Sequence, residues 1–257
     1  MTPGALITGG GSGIGAAAAR ALAVRGYDVC VTGRRAAPLR AVADELGGIV
    51  AVADTADPAA IAGAVETAVK HFGRLDALVC SAGTGAAGTV TEQTLERWNE
   101  VLATNLTGVF LACQAALPHL LNTQGTVVTV SSLAGLRAGP ASAAYAASKA
   151  GLIMLTRSIA VDYGPRGVRA NCVCPGWIRT AMADGEMDDL AQRSGGERET
   201  AYALATESVP SRRPGTSAEA GEAVAWLASP ASSYVNGAVL ALDGGASVVD
   251  VATLAFA

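Results

Sequence analysis

The chain has 257 residues, of which 51% are hydrophobic and 16% are charged, and it contains 31 glycines. This length and composition exclude a disordered chain and predict one large α/β domain with a buried core. The net charge of −4 offers no basic surface for nucleic acid or for an anionic membrane.

The first ten residues, MTPGALITGG, lack the charged start and the apolar run of a signal peptide. No later stretch approaches the roughly 18 uninterrupted apolar residues that a membrane-spanning helix needs. We therefore expect a cytoplasmic protein with no membrane partner.

Short apolar runs alternate with longer helical patterns along the whole chain. They are nearly continuous in Val, Ile, Leu, Ala and Cys, as is typical of parallel strands covered on both faces. The runs lie at residues 5–8, 29–32, 49–53, 77–80, 126–131, 169–174 and 238–242. This pattern predicts an α/β doubly wound (Rossmann) three-layer sandwich with a seven-stranded parallel sheet. Without a linker or repeat, residues 1–257 are expected to form a single domain.

The first predicted strand is followed by TGGGSGIG, residues 8–15, and then by an alanine-rich helix. Glycine lets the backbone turn tightly and approach a pyrophosphate, which the N–H groups and dipole at the helix start stabilise. The register is ambiguous, because the segment that starts at Gly11 also fits G-x-G-x-x-A. The predicted contacts are Gly9, Ser12, Gly13, Ile14 and Gly15.

The second strand ends at Gly33, followed by Arg34 and Arg35. An NAD site would place an acidic residue here to bind the ribose 2′-hydroxyl. Two guanidinium groups without a carboxylate favour the 2′-phosphate of NADP(H). The alternative is a pair of solvated loop arginines.

Two helix starts carry clear capping signals. Asp57 precedes Pro58, which suits an N-cap followed by proline at the first helical position. Thr216 and Glu219 have the spacing of a capping box.

Tyr145 and Lys149 lie four residues apart in SAAYAASKAGL, a run of helix-favouring residues. On a helix they share one face, so both can reach one site. A neighbouring ammonium favours phenolate, so we expect Lys149 to lower the pKa of Tyr145 toward the range useful for a general acid/base. Chance spacing remains an alternative for this pair taken alone.

Two polar residues upstream strengthen the hypothesis of an active site. Ser132 ends the fifth predicted strand, where its hydroxyl can donate to a substrate oxygen. Asn105 falls inside the apolar stripe of a predicted helix that includes Trp98, Val109 and Phe110. Its amide either bonds local backbone or organises a water beside the lysine.

The five cysteines are expected to be reduced, buried and small hydrophobic residues. Cys172 and Cys174 are expected to point to opposite faces of one strand, and the two histidines lie far away in sequence. We therefore predict no metal site.

Together these features resemble the short-chain dehydrogenase/reductase family of the compact type, including 3-oxoacyl-carrier-protein reductases and related ketoreductases. The resemblance covers essentially the whole chain. It rests on residues 8–15, Asp54, SAG at 81–83, Asn105, Ser132, YAASK at 145–149, PGWIRT at 175–180 and LDGG at 242–245. The chain departs from the family's Asn-Asn-Ala-Gly at Cys80 and Ser81, so the hydrogen bonds that brace this strand end must come from elsewhere.

The resemblance implies a catalytic tetrad of Asn105, Ser132, Tyr145 and Lys149. The tetrad would catalyse hydride transfer between NADP(H) and a small-molecule ketone or secondary alcohol. Tyr145 would transfer the proton, Ser132 would polarise the oxygen, Lys149 would hold the nicotinamide ribose, and Asn105 would support a water relay. Further cofactor contacts are implied for Asp54, Gly83, Pro175, Gly176, Ile178 and Thr180.

The substrate is less determined than the chemistry. Residues 84–88, 133–142, Trp177 and a lid at 181–213 are the candidate walls, and Met182, Met187 and Leu190 are candidates for an apolar inner face of the lid. The helix that contains Asn105 ends in PHLLNTQG, which offers no basic patch for an acidic carrier protein. A free substrate is therefore favoured over one bound to a carrier protein. A non-catalytic NADP-sensing protein is the other alternative. The apolar tail GGASVVDVATLAFA predicts a subunit interface, and the resemblance implies a homotetramer.

Overall fold

The computed structural model describes residues 1–85 and 87–256. Its centre is a seven-stranded sheet in the order β3-β2-β1-β4-β5-β6-β9, and all neighbouring strands are parallel. These strands are β1 (Gly4–Thr8), β2 (Asp28–Gly33), β3 (Ile49–Val52), β4 (Ala77–Cys80), β5 (Thr126–Val130), β6 (Arg169–Pro175) and β9 (Val239–Leu242). A separate pair, β7 (Ile178–Arg179) and β8 (Gly215–Thr216), was not predicted. The predicted fold class is confirmed.

Helices connect the strands and cover both faces of the sheet. They are α1 (Gly13–Val24), α2 (Ala36–Leu46), α3 (Pro58–Phe72), α4 (Leu95–Leu102), α5 (Gly108–Thr123), α6 (Ala143–Tyr163), α7 (Ala181–Ser194), α8 (Arg198–Ala205) and α9 (Ser217–Ala228). Both predicted caps are confirmed: the Asp57 carboxylate accepts from the N–H groups of Ala59 and Ala60, and Thr216 and Glu219 form a reciprocal capping box.

The core has two halves because successive strand residues point to opposite sides of the sheet. Leu6 and Leu78 pack toward α3, α5 and α6, whereas Ile7 and Val79 pack toward α1, α2 and α9. Helices on both faces explain why the strands read as continuous apolar runs.

The Asn105 helix is not one regular α-helix as predicted. A π-helical turn, Ala103–Thr107, separates α4 from α5. The extra residue in this turn changes the phase of the apolar stripe. Val109 is buried as predicted, while Phe110, which we also predicted to lie in the stripe, is 47% exposed.

The run Leu95–Thr123 is long and apolar enough to span a membrane by length and composition, with 44% of its most apolar window buried. One side of α5 packs into the core, where Ala112, Ala116 and Leu120 are fully buried. That packing is typical of a core helix.

The predicted orientation of Cys172 and Cys174 is wrong. Residues two apart on a strand share a face, and the two Sγ atoms are 4.0 Å apart in a buried cluster with Ile153. All five cysteines are free and buried, as predicted. Within the described residues, no group of three or more His, Cys, Asp or Glu side chains could hold a metal ion.

Candidate active site

The loops after β1, β4, β5 and β6 meet at the carboxyl edge of the parallel sheet. This edge is where ligands of doubly wound sheets bind. Gly9, Gly83, Ser132 and Gly176 follow these four strands. The topology therefore gathers residues that are far apart in sequence into one cleft.

The glycine loop is held in a shape that larger residues cannot adopt. Gly9 and Gly13 have φ values of 66° and 53°. A Cβ on Gly15 would lie 2.3 Å from the Gly9 carbonyl oxygen, so the start of α1 packs directly on the loop. Ser12 is the N-cap of α1, and its side chain makes no capping hydrogen bond. No side-chain cap therefore occupies the N–H groups at this helix start, which suits a pyrophosphate.

Arg34 and Arg35 are both exposed at the carboxyl end of β2, and Arg35 is the N-cap residue of α2. Neither forms an ion pair with an acidic residue in the described part of the chain. Asp54 follows β3, where its carboxylate accepts a 3.0 Å hydrogen bond from the Ala56 N–H. These residues lie at the edge where the adenosine end of a dinucleotide would lie.

Asn105 and Lys149 converge on Gly83. A Cβ on Gly83 would lie 3.4 Å from Asn105 Oδ1 and 3.5 Å from Lys149 Nζ, so a larger residue would crowd both groups. Lys149 is buried, and its Nζ donates to the Val130 carbonyl at 3.0 Å. Burial lowers the pKa of Lys149 to about 8.

The Asn105 amide uses non-local partners and lies inside the π-helical turn. Its Oδ1 accepts from the Thr84 N–H at 2.8 Å, and its Nδ2 donates to the Thr84 carbonyl and to Ser148 Oγ. Ser148 in turn donates to the Tyr145 carbonyl at 2.7 Å. The amide thus ties the loop after β4 to the first turns of α6. Ser148 was not predicted, although its place between Tyr145 and Lys149 on one helix was an available signal.

Tyr145 lies beside Ser132, and the pKa of its phenol is raised, not lowered as we expected. Burial is the main cause and the negative charge of Glu186 adds to it, while a hydrogen bond with Ser132 acts in the opposite direction. Lys149 Nζ lies 5.6 Å from the centre of the Tyr145 ring. Its hydrogen bond to Val130 directs the ammonium at backbone, so burial outweighs its charge in setting the pKa of the phenol.

The strand end at Cys80 and Ser81 is held by hydrogen bonds to β1. Thr8 Oγ1 accepts hydrogen bonds from the N–H groups of Ser81 and Ala82 at 3.1 and 3.2 Å. The adjacent strand end is therefore fixed by a threonine hydroxyl without an asparagine side chain.

The segment after β6 forms the other side of the cleft. Pro175 ends β6, and a Cβ on the next residue, Gly176, would lie 3.0 Å from Asp243. Ile178 is buried on β7, and Thr180 caps α7 by accepting from the Ala183 N–H. A Cβ on Gly13 would lie 3.1 Å from Thr180 Cγ2, so this cap lies directly across from the glycine loop.

Helices α7 and α8 occupy most of the segment predicted as a lid. Their shared core includes Met187 and Tyr202, and Leu190 packs against it. Met182, by contrast, is 43% exposed and does not belong to that inner face. Of the wall residues predicted after β4, residue 86 lies outside the described residues. Trp177, predicted as a wall after β6, is partly exposed.

The residues present fit a nicotinamide dinucleotide. Gly9, Gly13 and Gly83 leave out side chains that would crowd their neighbours, and the start of α1 has no side-chain cap. These residues follow the ends of neighbouring strands along the sheet edge. The row of residues ends at Lys149 and Tyr145. Such a row suits a pyrophosphate at the glycine loop and a ribose at the lysine.

Comparison with known proteins agrees with this geometry. A family model described as Enoyl-(Acyl carrier protein) reductase matches residues 9–247. The chain is 44% identical to Protein MoaE of Klebsiella aerogenes over 254 residues, covering 98% of each chain. It is 37% identical to 2-(R)-hydroxypropyl-CoM dehydrogenase of Xanthobacter autotrophicus over 252 residues, covering 93% of this chain and 96% of the relative.

A solved structure gives the same result for the fold. An actinorhodin polyketide ketoreductase variant crystallised with NADPH superposes with a TM-score of 0.90 at 32% identity, over 95% of this chain and 97% of that chain. The chain belongs to the short-chain dehydrogenase/reductase family. It is an oxidoreductase of secondary alcohols and ketones that uses a nicotinamide cofactor.

Proposed function

We propose that the protein transfers a hydride between NADP(H) and a free small-molecule ketone or secondary alcohol, with Tyr145 as the general acid/base. The observation that carries this proposal is the convergence of Tyr145, Ser132 and Lys149 at the cleft, with Asn105 beside Gly83. No feature of the described residues favours a carrier-bound substrate or a sensor role.

In reduction, the bound cofactor supplies the hydride to the carbonyl carbon. Tyr145 donates its phenolic proton to the carbonyl oxygen, and the Ser132 hydroxyl donates a hydrogen bond to the same oxygen. Lys149 binds the ribose hydroxyls through its ammonium group. Asn105 holds the loop at Thr84 and positions a water that returns a proton to Tyr145. Oxidation of an alcohol reverses these steps.

The cofactor contacts follow the cleft from one end to the other. Gly9, Ser12, Gly13, Ile14 and Gly15 hold the pyrophosphate, and Asp54 contacts the adenine. Gly83, Pro175, Gly176, Ile178 and Thr180 surround the nicotinamide end. Arg34 and Arg35 bind the 2′-phosphate, because exposed guanidinium groups suit phosphate oxygens. The relative crystallised with NADPH supports this preference.

Residues 1–257 form one catalytic domain in this proposal, and residues 181–213 form a lid over the substrate. The lid has its own small core and an ion pair between Arg198 and Asp188, while Arg179 of β7 pairs with Glu199 at its base. Separate packing of this kind allows a segment to move as a unit.

We also propose a homotetramer in the cytoplasm. The apolar side chains of Phe110, Met154 and Val161 are exposed on α5 and α6, and Val248 and Phe256 are exposed in the tail. Exposed apolar residues on neighbouring helices favour a subunit interface. Five free cysteines suit a reducing compartment.

The test compares wild type with Tyr145→Phe over a panel of ketones and diketones, with NADPH and then NADH. We expect turnover with NADPH in the wild type and a loss of at least about 100-fold in kcat in the variant. Calorimetric measurement of NADPH binding to wild type and Tyr145→Phe is the control for folding. Equal turnover by the variant would refute the role of Tyr145.

A further inference from the structure

Glu186 lies on α7 and faces the active-site cleft. Its Oε1 is 3.6 Å from the position that a Cβ would take on Gly85. Gly85 follows Thr84, whose backbone bonds to Asn105. One short loop therefore links the floor of the cleft at Asn105 to a carboxylate on the lid.

Within the described residues, Glu186, like Asp189, Glu197 and Glu207, lacks the ion pairs that other acidic residues of the lid form, and it is the unpaired carboxylate that lies beside Gly85. Asp184 bonds the Tyr202 hydroxyl and lies 3.7 Å from Arg198, Asp188 pairs with Arg198, and Glu199 pairs with Arg179. Within the described parts of the chain, Glu186 has no ion pair and no hydrogen bond. Desolvation by the surrounding residues and, after it, the nearby Asp189 carboxylate raise the pKa of its carboxyl group, although the side chain stays exposed to solvent.

The cation that reaches the same loop is already engaged. Arg97 on α4 donates to the Gly85 carbonyl at 2.6 Å and to Glu100 at 2.7 Å. It therefore holds the loop from α4. Within the described residues the Glu186 carboxylate has no cationic partner.

An unpaired carboxylate close to the general acid/base has a chemical consequence. Its negative charge raises the pKa of Tyr145, which disfavours the phenolate that alcohol oxidation requires. A substrate that covers Glu186 also removes water from the carboxylate, at a cost unless the substrate offers a partner. A cation on the substrate would remove both penalties.

We propose that Glu186 makes this enzyme selective for ketones and secondary alcohols that carry a protonated amino group. The inference rests on the proposed function, since it assigns the substrate class of the same site. A neutral hydroxyl can also donate to a carboxylate, but it leaves the negative charge uncompensated. The ammonium group is therefore the better match.

The experiment compares two pairs of ketones that differ only in this group: aminoacetone with hydroxyacetone, and α-aminoacetophenone with α-hydroxyacetophenone. NADPH oxidation at about pH 6 gives kcat and KM for wild type, Glu186→Gln and Glu197→Gln, because an amino group beside a carbonyl, with a pKa of about 8 or somewhat lower, is protonated at that pH. Glu197 is an exposed lid carboxylate at the N-cap of α8 whose side chain makes no capping hydrogen bond. Its variant controls for the loss of one negative charge from the lid.

We expect wild type to prefer the amino ketone in each pair by about tenfold or more in kcat/KM, mainly through KM. Glu186→Gln should abolish this preference by lowering kcat/KM for the amino ketones more than for the hydroxy ketones, a pattern that misfolding of the lid would not produce. Glu197→Gln should keep the preference.

Two results would overturn the inference, and they have different meanings. If wild type reduces hydroxy ketones as well as amino ketones, or if Glu186→Gln keeps the preference, the role of Glu186 is wrong while the proposed function stands. If wild type reduces no ketone of this set or of the wider panel with either NADPH or NADH, the proposed function fails and the inference fails with it.

Discussion

The ammonium nitrogen of Lys149 lies 5.6 Å from the centre of the Tyr145 ring and donates a 3.0 Å hydrogen bond to the Val130 carbonyl. The lysine is buried within the body of the fold, where a charge is costly. The buried ammonium group therefore destabilises the fold, although it provides a cation at the cleft.

Replacing Lys149 with methionine should stabilise the protein and abolish its activity. Burial lowers the lysine pKa from 10.5 to about 8, a cost on the order of 3 kcal/mol. Loss of the hydrogen bond to Val130 offsets about 1 kcal/mol. The net gain of about 2 kcal/mol should raise Tm by about 5 °C near pH 7.

The pH dependence of this gain has a definite sign. Because the folded pKa lies below the unfolded value, the unfolded chain binds more protons between about pH 8 and 10.5. The cost of the lysine is fully present below pH 8 and disappears toward pH 10.5. Denaturant unfolding of wild type and Lys149→Met at about pH 8 and pH 10.5 measures how the difference in their stability changes. A variant that is less stable than wild type at neutral pH would contradict the argument.

Ser132 and Glu186 should shift the pH profile of alcohol oxidation in opposite directions. The Ser132 hydrogen bond lowers the pKa of Tyr145, whereas the charge of Glu186 raises it. Ser132→Ala should therefore move the rising limb of kcat/KM to higher pH and reduce kcat by about 100-fold. Glu186→Gln should move this limb to lower pH with a neutral alcohol.

Ser142→Ala is the control for these profiles. Ser142 precedes α6, and its hydroxyl donates to the Gly139 carbonyl away from the phenol. Its profile should match wild type. Shifts of the same sign in Ser132→Ala and Glu186→Gln would contradict the assignment of these charges.

The double variant Gly33→Asp with Arg34→Ala should convert the cofactor preference from NADPH to NADH. Gly33 has room for a side chain, because the nearest atom to its Cβ position is Leu39 Cδ2 at 3.8 Å. The new carboxylate would accept from the ribose 2′-hydroxyl and repel a 2′-phosphate. We expect the ratio of kcat/KM for NADPH to that for NADH to fall by at least about 100-fold. Gly33→Ala should leave the ratio unchanged, and a double variant that still prefers NADPH would show that other residues read the phosphate.

Two glycine-to-alanine substitutions should have opposite outcomes. Gly15→Ala would place a methyl group 2.3 Å from the Gly9 carbonyl oxygen, whereas a Cβ on Gly63 in α3 meets no atom within 4 Å. Gly15→Ala should weaken cofactor binding by more than about tenfold by distorting the loop. Gly63→Ala should stabilise the fold by up to about 1 kcal/mol through helix propensity. Calorimetry with NADPH and thermal unfolding measure both, and normal affinity in Gly15→Ala would refute the close packing.

Several local features followed directly from residue patterns. The alternation of apolar runs and helical segments located every strand of the large sheet to within two residues. Local chemistry also located the caps at Asp57 and Thr216, because an N-cap depends on residues three apart. The error at Cys172 and Cys174 came from a misapplied strand period, since residues two apart on a strand share a face.

The sequence by itself determined the fold class and the family, because parallel strands and glycine-rich loops impose short-range patterns that can be read locally. Only the tertiary structure decided that Asn105 lies in a π-helical turn, that Thr8 braces the loop at Ser81, and that burial raises the pKa of Tyr145. It also placed Glu186 of α7 against the loop after β4. Each depends on contacts between residues far apart in sequence, and burial and charge at such contacts exist only once the sheet has brought its strand ends together.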